Sequence, residues 1–186
     1  LILSKENKLL REQLEKINNI NTASDTQPDS MYFLQAKVVK NIWNKKQNFI
    51  MINQGLKHGV QPNMGVVSKS KLVGITQLSS DNFSSIISII NTEVMISAKI
   101  KNSGQFGTLR WNGKNINKMQ LYDIPRHAEL KIGDTIVTSG YSNIFPENIE
   151  IGTISKYDFE KNTNFLNIEI ELFVDFTKID FLYILK

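Results

Sequence analysis

Three residues of this 186-residue chain have the types and the order of a serine-hydrolase triad: His58, Asp81 and Ser139. In such a triad the histidine accepts the serine proton and the aspartate orients the imidazole. The serine must also sit on a tight turn that presents its hydroxyl beside backbone N–H donors. The run Gly133-Asp134-Thr135-Ile136 instead leads Thr135 into a β-branched strand. We therefore expect no catalytic residues, and a secreted chymotrypsin-like serine hydrolase is the alternative.

Metal, cofactor and nucleic-acid sites have little support in the sequence. The chain has no cysteine, and its two histidines, His58 and His127, are far apart with no carboxylate cluster to complete a ligand set. The formal net charge is +4, but the basic residues are scattered, whereas nucleic-acid binders gather them on one element or stripe. We expect no metal, no cofactor and no nucleic-acid partner.

The composition is that of a globular protein, with 41% hydrophobic and 22% charged residues. No apolar run approaches the roughly 18 residues that span a bilayer. The chain begins at a leucine inside a heptad pattern, so we expect a longer protein with a membrane-spanning helix upstream.

Residues 1–19 have the heptad pattern of a coiled coil. The d positions are Leu3, Leu10 and Ile17, and the a positions are Asn7 and Leu14. An asparagine at a pairs best with its own copy, which favours a parallel, in-register homodimer. These five residues are the predicted dimerisation contacts. The alternative is a single amphipathic helix that packs on its own β region.

Residues 20–30 are polar and rich in helix breakers, which predicts a linker. From Met31 the hydrophobic period becomes two, the period of strands with one buried face. The apolar run Ile86–Ile90 predicts a central strand buried on both sides, and Asn112-Gly113 predicts a two-residue hairpin turn.

Many short strands separated by turns indicate a sandwich or barrels. We interpret the β region as two small barrels, the first over residues 31–100 and the second over residues 101–186. The sequence leaves open whether the last strands complete the first barrel.

One long stretch carries a family resemblance. It runs from Lys131 to Gly152 and contains Gly-Asp-Thr-Ile-Val-Thr-Ser-Gly, then Phe-Pro, then Ile-Gly. Together with the run from Ile52 to Val60 and with Val73-Gly74-Ile75, it resembles the MreC family of bacterial cell-wall elongation. Asn143 and Asn148 stand where that pattern has glycines, and asparagine tolerates positive φ better than most residues.

The resemblance implies a mainly β fold of two six-stranded barrels behind a coiled-coil helix, arranged somewhat like a chymotrypsin-type protease without its catalytic residues. It implies a non-enzymatic, dimeric scaffold that maintains rod shape. The implied location is the periplasmic face of the bacterial inner membrane, with a single-pass anchor. The implied partners are the elongation penicillin-binding transpeptidase and MreD and, indirectly, MreB and the glycan polymerase. A coiled-coil adaptor unrelated to the cell wall is a further alternative.

The loop between residues 140 and 146 is the predicted partner-binding segment. It carries three large apolar side chains in seven residues, namely Tyr141, Ile144 and Phe145. A loop has little core of its own, so these side chains either plug a barrel end or lie on the surface where a partner can bind.

Overall fold

A computed structural model describes residues 33–159 and 163–186. The predicted dimerisation contacts Leu3, Asn7, Leu10, Leu14 and Ile17, and the linker at 20–30, lie outside these residues. Within the described residues, no helix is long and apolar enough to cross a membrane.

The described chain forms strands, with a single short 3₁₀ turn at Leu56–His58. The first six strands are β1 Phe33–Ile42, β2 Phe49–Ile52, β3 Gly65–Ser68, β4 Lys71–Ser79, β5 Ser84–Ser88 and β6 Met95–Ile100. The next six are β7 Phe106–Arg110, β8 Lys118–Pro125, β9 Thr135–Thr138, β10 Glu150–Phe159, β11 Phe165–Leu172 and β12 Phe181–Leu185.

The strands close into two six-stranded rings. The first ring follows the order β1, β2, β5, β4, β3 and β12, and β12 pairs antiparallel with β1 to close it. The second ring follows the order β6, β7, β8, β11, β10 and β9, and β9 pairs with β6 to close it. Closure leaves neither ring with a free edge. The prediction of a mainly β fold with six-stranded barrels is confirmed.

Two strands belong to the ring on the other side of the predicted boundary after residue 100. β6 ends at Ile100 but pairs with β7 and β9 of the second ring. β12 lies at the end of the chain but pairs with β1 and β3 of the first ring. The second ring is therefore inserted between the fifth and the last strand of the first.

Strand alternation fills both rings with aliphatic side chains. In β5 the side chains of Ser84, Ile86 and Ser88 are buried, whereas Ser85 and Ile87 are half-buried. The fully buried set combines branched residues from both rings, including Ile50, Leu72, Leu109 and Leu121. β-branched and leucine side chains suit such curved, one-sided walls.

Two local predictions are wrong. Ile86–Ile90 is not one strand buried on both sides, because β5 ends at Ser88 and Ile87 is only half-buried, while Ile89 and Ile90 begin the connection to the second ring. Asn112-Gly113 is not a two-residue turn. The connection from β7 to β8 spans residues 111–117 because it curls over buried Trp111, whose indole N–H donates to the carbonyl of Asn115 at 2.7 Å.

The two asparagines at glycine positions behave differently. Asn148 adopts φ +71°, as expected for a glycine substitute, and its N–H donates to the Thr138 carbonyl. Asn143 is absent from the positive-φ residues of the described chain, so at that position no left-handed backbone is required.

Candidate functional site

The three residues of the hydrolase hypothesis have separate partners. His58 accepts a hydrogen bond at Nδ1 from the Gly55 N–H, at 3.1 Å. Asp81 forms an ion pair with Lys57 at 3.2 Å. The Ser139 hydroxyl is buried and donates to the Ser97 hydroxyl at 2.8 Å. Across the described part of the chain, no hydrogen bond joins these three residues to one another.

The loop from residue 140 to 146 is anchored at its base by Thr138. The Thr138 hydroxyl donates to the Pro146 carbonyl at 2.6 Å and accepts from the Ile149 N–H at 2.9 Å. This pair of bonds pins the end of β9 to the start of β10. The two ends of the loop are thus held together, and its side chains divide between an inner and an outer side.

Phe145 lies on the inner side, where the two rings meet. Its side chain is 4% exposed. A Cβ on Gly65, at the start of β3, would lie 2.8 Å from Phe145 Cδ1 and 2.9 Å from Leu185 Cδ1. Phe145 of the second ring therefore packs beside β3 and β12 of the first ring, and half-buried Ile144 packs against the same core.

Tyr141 lies on the outer side and is 73% exposed. Its ring packs on Phe106 of β7 with 4.7 Å between the centroids, within the usual range for an aromatic pair. Its backbone N–H donates to the Ser139 hydroxyl at 3.2 Å. Of the three predicted binding residues, Tyr141 is the one that a partner could reach without unpacking the core.

Tyr141 borders a larger apolar surface on the outside of β6, β7 and β8. Met95 pairs with Arg110, Lys99 pairs with Phe106, and Tyr122 pairs with Thr108. We name this surface the aromatic face; its exposed apolar members are Met95, Phe106, Tyr122 and Tyr141. Arg110 lies over the Tyr122 ring, 6.0 Å from its centroid, and adds a cation.

Sequence reasoning missed Met95, Phe106 and Tyr122. A signal was present in β7, where Gly107 and Leu109 are buried and therefore place Phe106 on the opposite side. Aromatic residues and arginine are the residue types enriched at protein interfaces. Exposed together, they make the aromatic face a candidate protein-binding surface.

An ion-pair cluster joins the rings where β4 and β10 run side by side. Glu150 of β10 pairs with Lys71 of β4, and its other carboxylate oxygen lies 3.3 Å from Lys101. The hydrogen bond from Lys71 is the main reason why the pKa of Glu150 lies below its ordinary value. Lys71 also lies 4.7 Å from the centroid of the Phe173 ring. In the described ranges, no group of three or more His, Asp and Glu is placed to hold a metal ion.

Two closed rings with an aromatic outer face define a two-barrel β protein with an exposed surface suited to protein contacts. The family model described as "Rod shape-determining protein MreC, barrel core" matches residues 38–186. The chain belongs to the MreC family, and the resemblance inferred from the sequence is confirmed.

Relatives and solved structures agree with this assignment. The cell shape-determining protein MreC of Listeria monocytogenes is 29% identical over 162 residues, covering 86% of this chain and 52% of that protein. The chain thus spans about half the length of that relative. A solved MreC structure from Listeria monocytogenes matches with a TM-score of 0.77 at 24% identity, covering 99% of this chain and 89% of the other.

A further solved structure is described as a complex between penicillin-binding protein (PBP2) and MreC from Helicobacter pylori. It matches with a TM-score of 0.64 at 20% identity and covers 84% of this chain and 99% of that chain. At these identities the two solved structures show the fold alone.

Proposed function

We propose that this chain is the extracytoplasmic part of a cell shape-determining protein, which acts as a non-enzymatic scaffold in cell-wall elongation. The observation that carries the proposal is the family match over residues 38–186. The bond between Ser139 and Ser97 supports a structural role for the serine of the hydrolase hypothesis. Labelling with a fluorophosphonate probe tests this point, since covalent capture at Ser139 would contradict the scaffold.

The proposed partner is a penicillin-binding transpeptidase. The Helicobacter pylori MreC is described in complex with such a protein, which supports the same partner class here. The proposed contact is the aromatic face, because its exposed aromatic side chains and Arg110 are of the types that dominate interface energetics. Binding that is stronger for the active conformation of the transpeptidase would shift its population toward activity.

Binding of the purified chain to the elongation transpeptidase of the same bacterium tests the partner. Tyr141→Ala and Phe106→Ala should each weaken binding by about 1–4 kcal/mol and leave the melting temperature nearly unchanged. Ile132→Ala is the matched control, because Ile132 is similarly exposed but lies in the turn before β9. If Tyr141→Ala and Phe106→Ala bind as tightly as Ile132→Ala and the unsubstituted chain, the aromatic face is not the contact.

The proposal includes dimerisation through residues 1–19 and anchoring by a helix upstream, with MreD, MreB and the glycan polymerase as further members of the complex. The heptad pattern of Leu3, Asn7 and Leu10 supports the dimer. Analytical ultracentrifugation of residues 1–186 beside a fragment from Ser30 tests it. Identical monomeric sedimentation at high concentration would contradict a dimer formed by this segment alone.

A further inference from the structure

A polar cleft on the second ring lies apart from the ring junction and the loop of Tyr141. Its volume is about 260 Å³, close to the lower end of the roughly 300–1,000 Å³ range of ligand pockets. It is formed by the outward side chains of β8, β11 and β10 and by the loop after β7. The lining residues are Asn112, Gln120, Lys156, Asp158, Asn167 and Glu169.

The register of three strands explains how these residues meet. Gln120 of β8 pairs with Glu169 of β11, and Glu169 pairs in turn with Lys156 of β10. Asn167 pairs with Asp158 on the next outward row. Because side chains alternate across a strand, all five project from the outer wall of the second ring.

Gln120 is the central observation. Its side chain is only 8% exposed, and its carboxamide oxygen is shielded from solvent with no hydrogen-bond partner among the described residues. A buried polar group without a partner is costly, and such groups are rare in folded proteins. Because Gln120 lines the cleft, rotation of its carboxamide would turn this oxygen toward a ligand, and a hydrogen bond donated by the ligand would remove the cost.

Each of the two carboxylates in the cleft, Glu169 and Asp158, uses one oxygen for a hydrogen bond within the protein. Glu169 uses Oε1 for Lys118 at 2.6 Å and for the Ser155 hydroxyl at 3.5 Å, and its Oε2 has no donor in the described chain. Asp158 uses Oδ1 for the Phe159 N–H at 2.8 Å. Each of the two carboxylates therefore keeps one oxygen that can accept a hydrogen bond from a ligand.

Donors stand beside these acceptors. Asn112 uses its oxygen to accept from the Lys114 N–H at 3.0 Å, which leaves its NH₂ group to donate. Asn167 supplies a second carboxamide, and Lys156 supplies an ammonium group outside every ion pair formed by the described residues. The two carboxylates are balanced by Lys156 and by Lys118, which pairs with Glu169, so the group carries no formal net charge.

Alternating donors and acceptors without net charge suit a ligand of neighbouring hydroxyls, since each hydroxyl donates one hydrogen bond and accepts others. We propose that this cleft binds one residue of an uncharged glycan. This site borders the aromatic face, because Gln120 pairs with Arg110 across β8 and β7, but a glycan ligand goes beyond the scaffold function.

Ligand-observed NMR with the full 186-residue chain tests the site. The probes are cellotetraose and chitotetraose, which are uncharged oligosaccharides without and with acetamido groups, each at about 1 mM to detect weak binding. Saturation transfer to either sugar is the expected result. Absence of transfer to both sugars from the folded chain would overturn the proposal.

Two variants place the binding in the cleft. Gln120→Leu should weaken binding at least tenfold while the melting temperature stays equal or rises, because the substitution removes a buried amide that lacks a partner. Asn167→Ala should weaken binding about fivefold, and Asn143→Ala, which changes an exposed asparagine of the loop from residue 140 to 146, should not. Unchanged binding in both cleft variants would overturn the assignment of the site.

The same experiment distinguishes other ligands. A zwitterionic dipeptide such as alanylalanine could engage Lys156 and Asp158 together, and binding of the dipeptide in place of both sugars would overturn the glycan proposal. Tyr141→Ala should leave sugar binding unchanged, so that failure at the cleft and failure at the aromatic face are separable.

Discussion

The first and second rings share one local feature, a glycine at a close contact between neighbouring strands. In each ring a glycine sits on a long strand where the neighbouring backbone comes too close for any side chain. A Cβ on Gly74 of β4 would overlap the Ile87 carbonyl of β5, and a Cβ on Gly152 of β10 would overlap the Glu171 carbonyl of β11. These two strands, β4 and β10, also contact each other between the rings.

The two rings differ in the sequence separation between the strands that they pair. The second ring consists of consecutive strands from Met95 to Leu172, whereas the first ring is completed by β12 at the end of the chain. Closing the first ring therefore brings together segments separated by almost the whole described chain, which costs more loop entropy. The comparison predicts that the first ring depends on the chain terminus and that the second does not.

The largest effect should come from deleting residues 181–186. This removes three buried side chains, Leu182, Ile184 and Leu185, each contributing about 1.5–3 kcal/mol, and exposes the edges of β1 and β3. The loss approaches the total stability of a typical domain. We expect the first ring to unfold, with fast amide hydrogen exchange in β1 and β3 and slow exchange retained in β7 and β8.

Deleting Lys186 alone is the control. Lys186 donates to the His58 carbonyl at 3.2 Å from an exposed position, so its removal should change the free energy of unfolding by less than about 0.5 kcal/mol. Loss of protection from amide hydrogen exchange in both rings after deletion of β12 would show that the rings fold as one unit. It would contradict the prediction that only the first ring depends on the chain terminus.

The next largest effect concerns the contact between the rings. Phe145→Ala should lower the free energy of unfolding by about 3–5 kcal/mol, as large aromatic truncations in cores do. Tyr141→Ala, four residues earlier in the same loop, should change it by less than about 0.5 kcal/mol because that side chain is exposed. Urea unfolding followed by tryptophan fluorescence measures both, and similar losses in the two variants would contradict the division of the loop.

The close strand contacts at Gly74 and Gly152 predict a third, smaller effect. Gly74→Ala and Gly152→Ala should each destabilise by about 1–3 kcal/mol, because the added methyl group forces backbone apart in a packed wall. Hydrogen exchange should report the two main losses in different rings.

The smallest effect concerns Glu150 at the contact between β4 and β10. Its pKa is lowered in the folded protein mainly by Lys71, so its contribution is present at neutral pH and is lost as the pH falls through the folded pKa. Glu150→Gln should cost at most about 1 kcal/mol at pH 7. The variant should also lose less stability on acidification than the unsubstituted chain, and equal acid slopes in urea titrations would contradict this role.

The candidate sites show where sequence reasoning was sufficient and where it was not. The loop of Tyr141 and Phe145 could be found because large apolar side chains in a polar loop are visible in the sequence. Which of them faces outward depends on Gly65 and Leu185, residues from two distant strands. Gln120 carried no signal at all, because its missing hydrogen-bond partner is a property of three neighbouring strands.

The sequence by itself determined the strand-rich class, the inward face of most strands and the family, since alternation and turn residues are properties of consecutive positions. Only the tertiary structure decided that β12 closes the first ring, that β6 belongs to the second, and that His58, Asp81 and Ser139 take separate partners. The physical reason is that strand pairing is long-range. Every strand offers the same backbone donors and acceptors, so its choice of neighbour is settled by the packing of the whole chain.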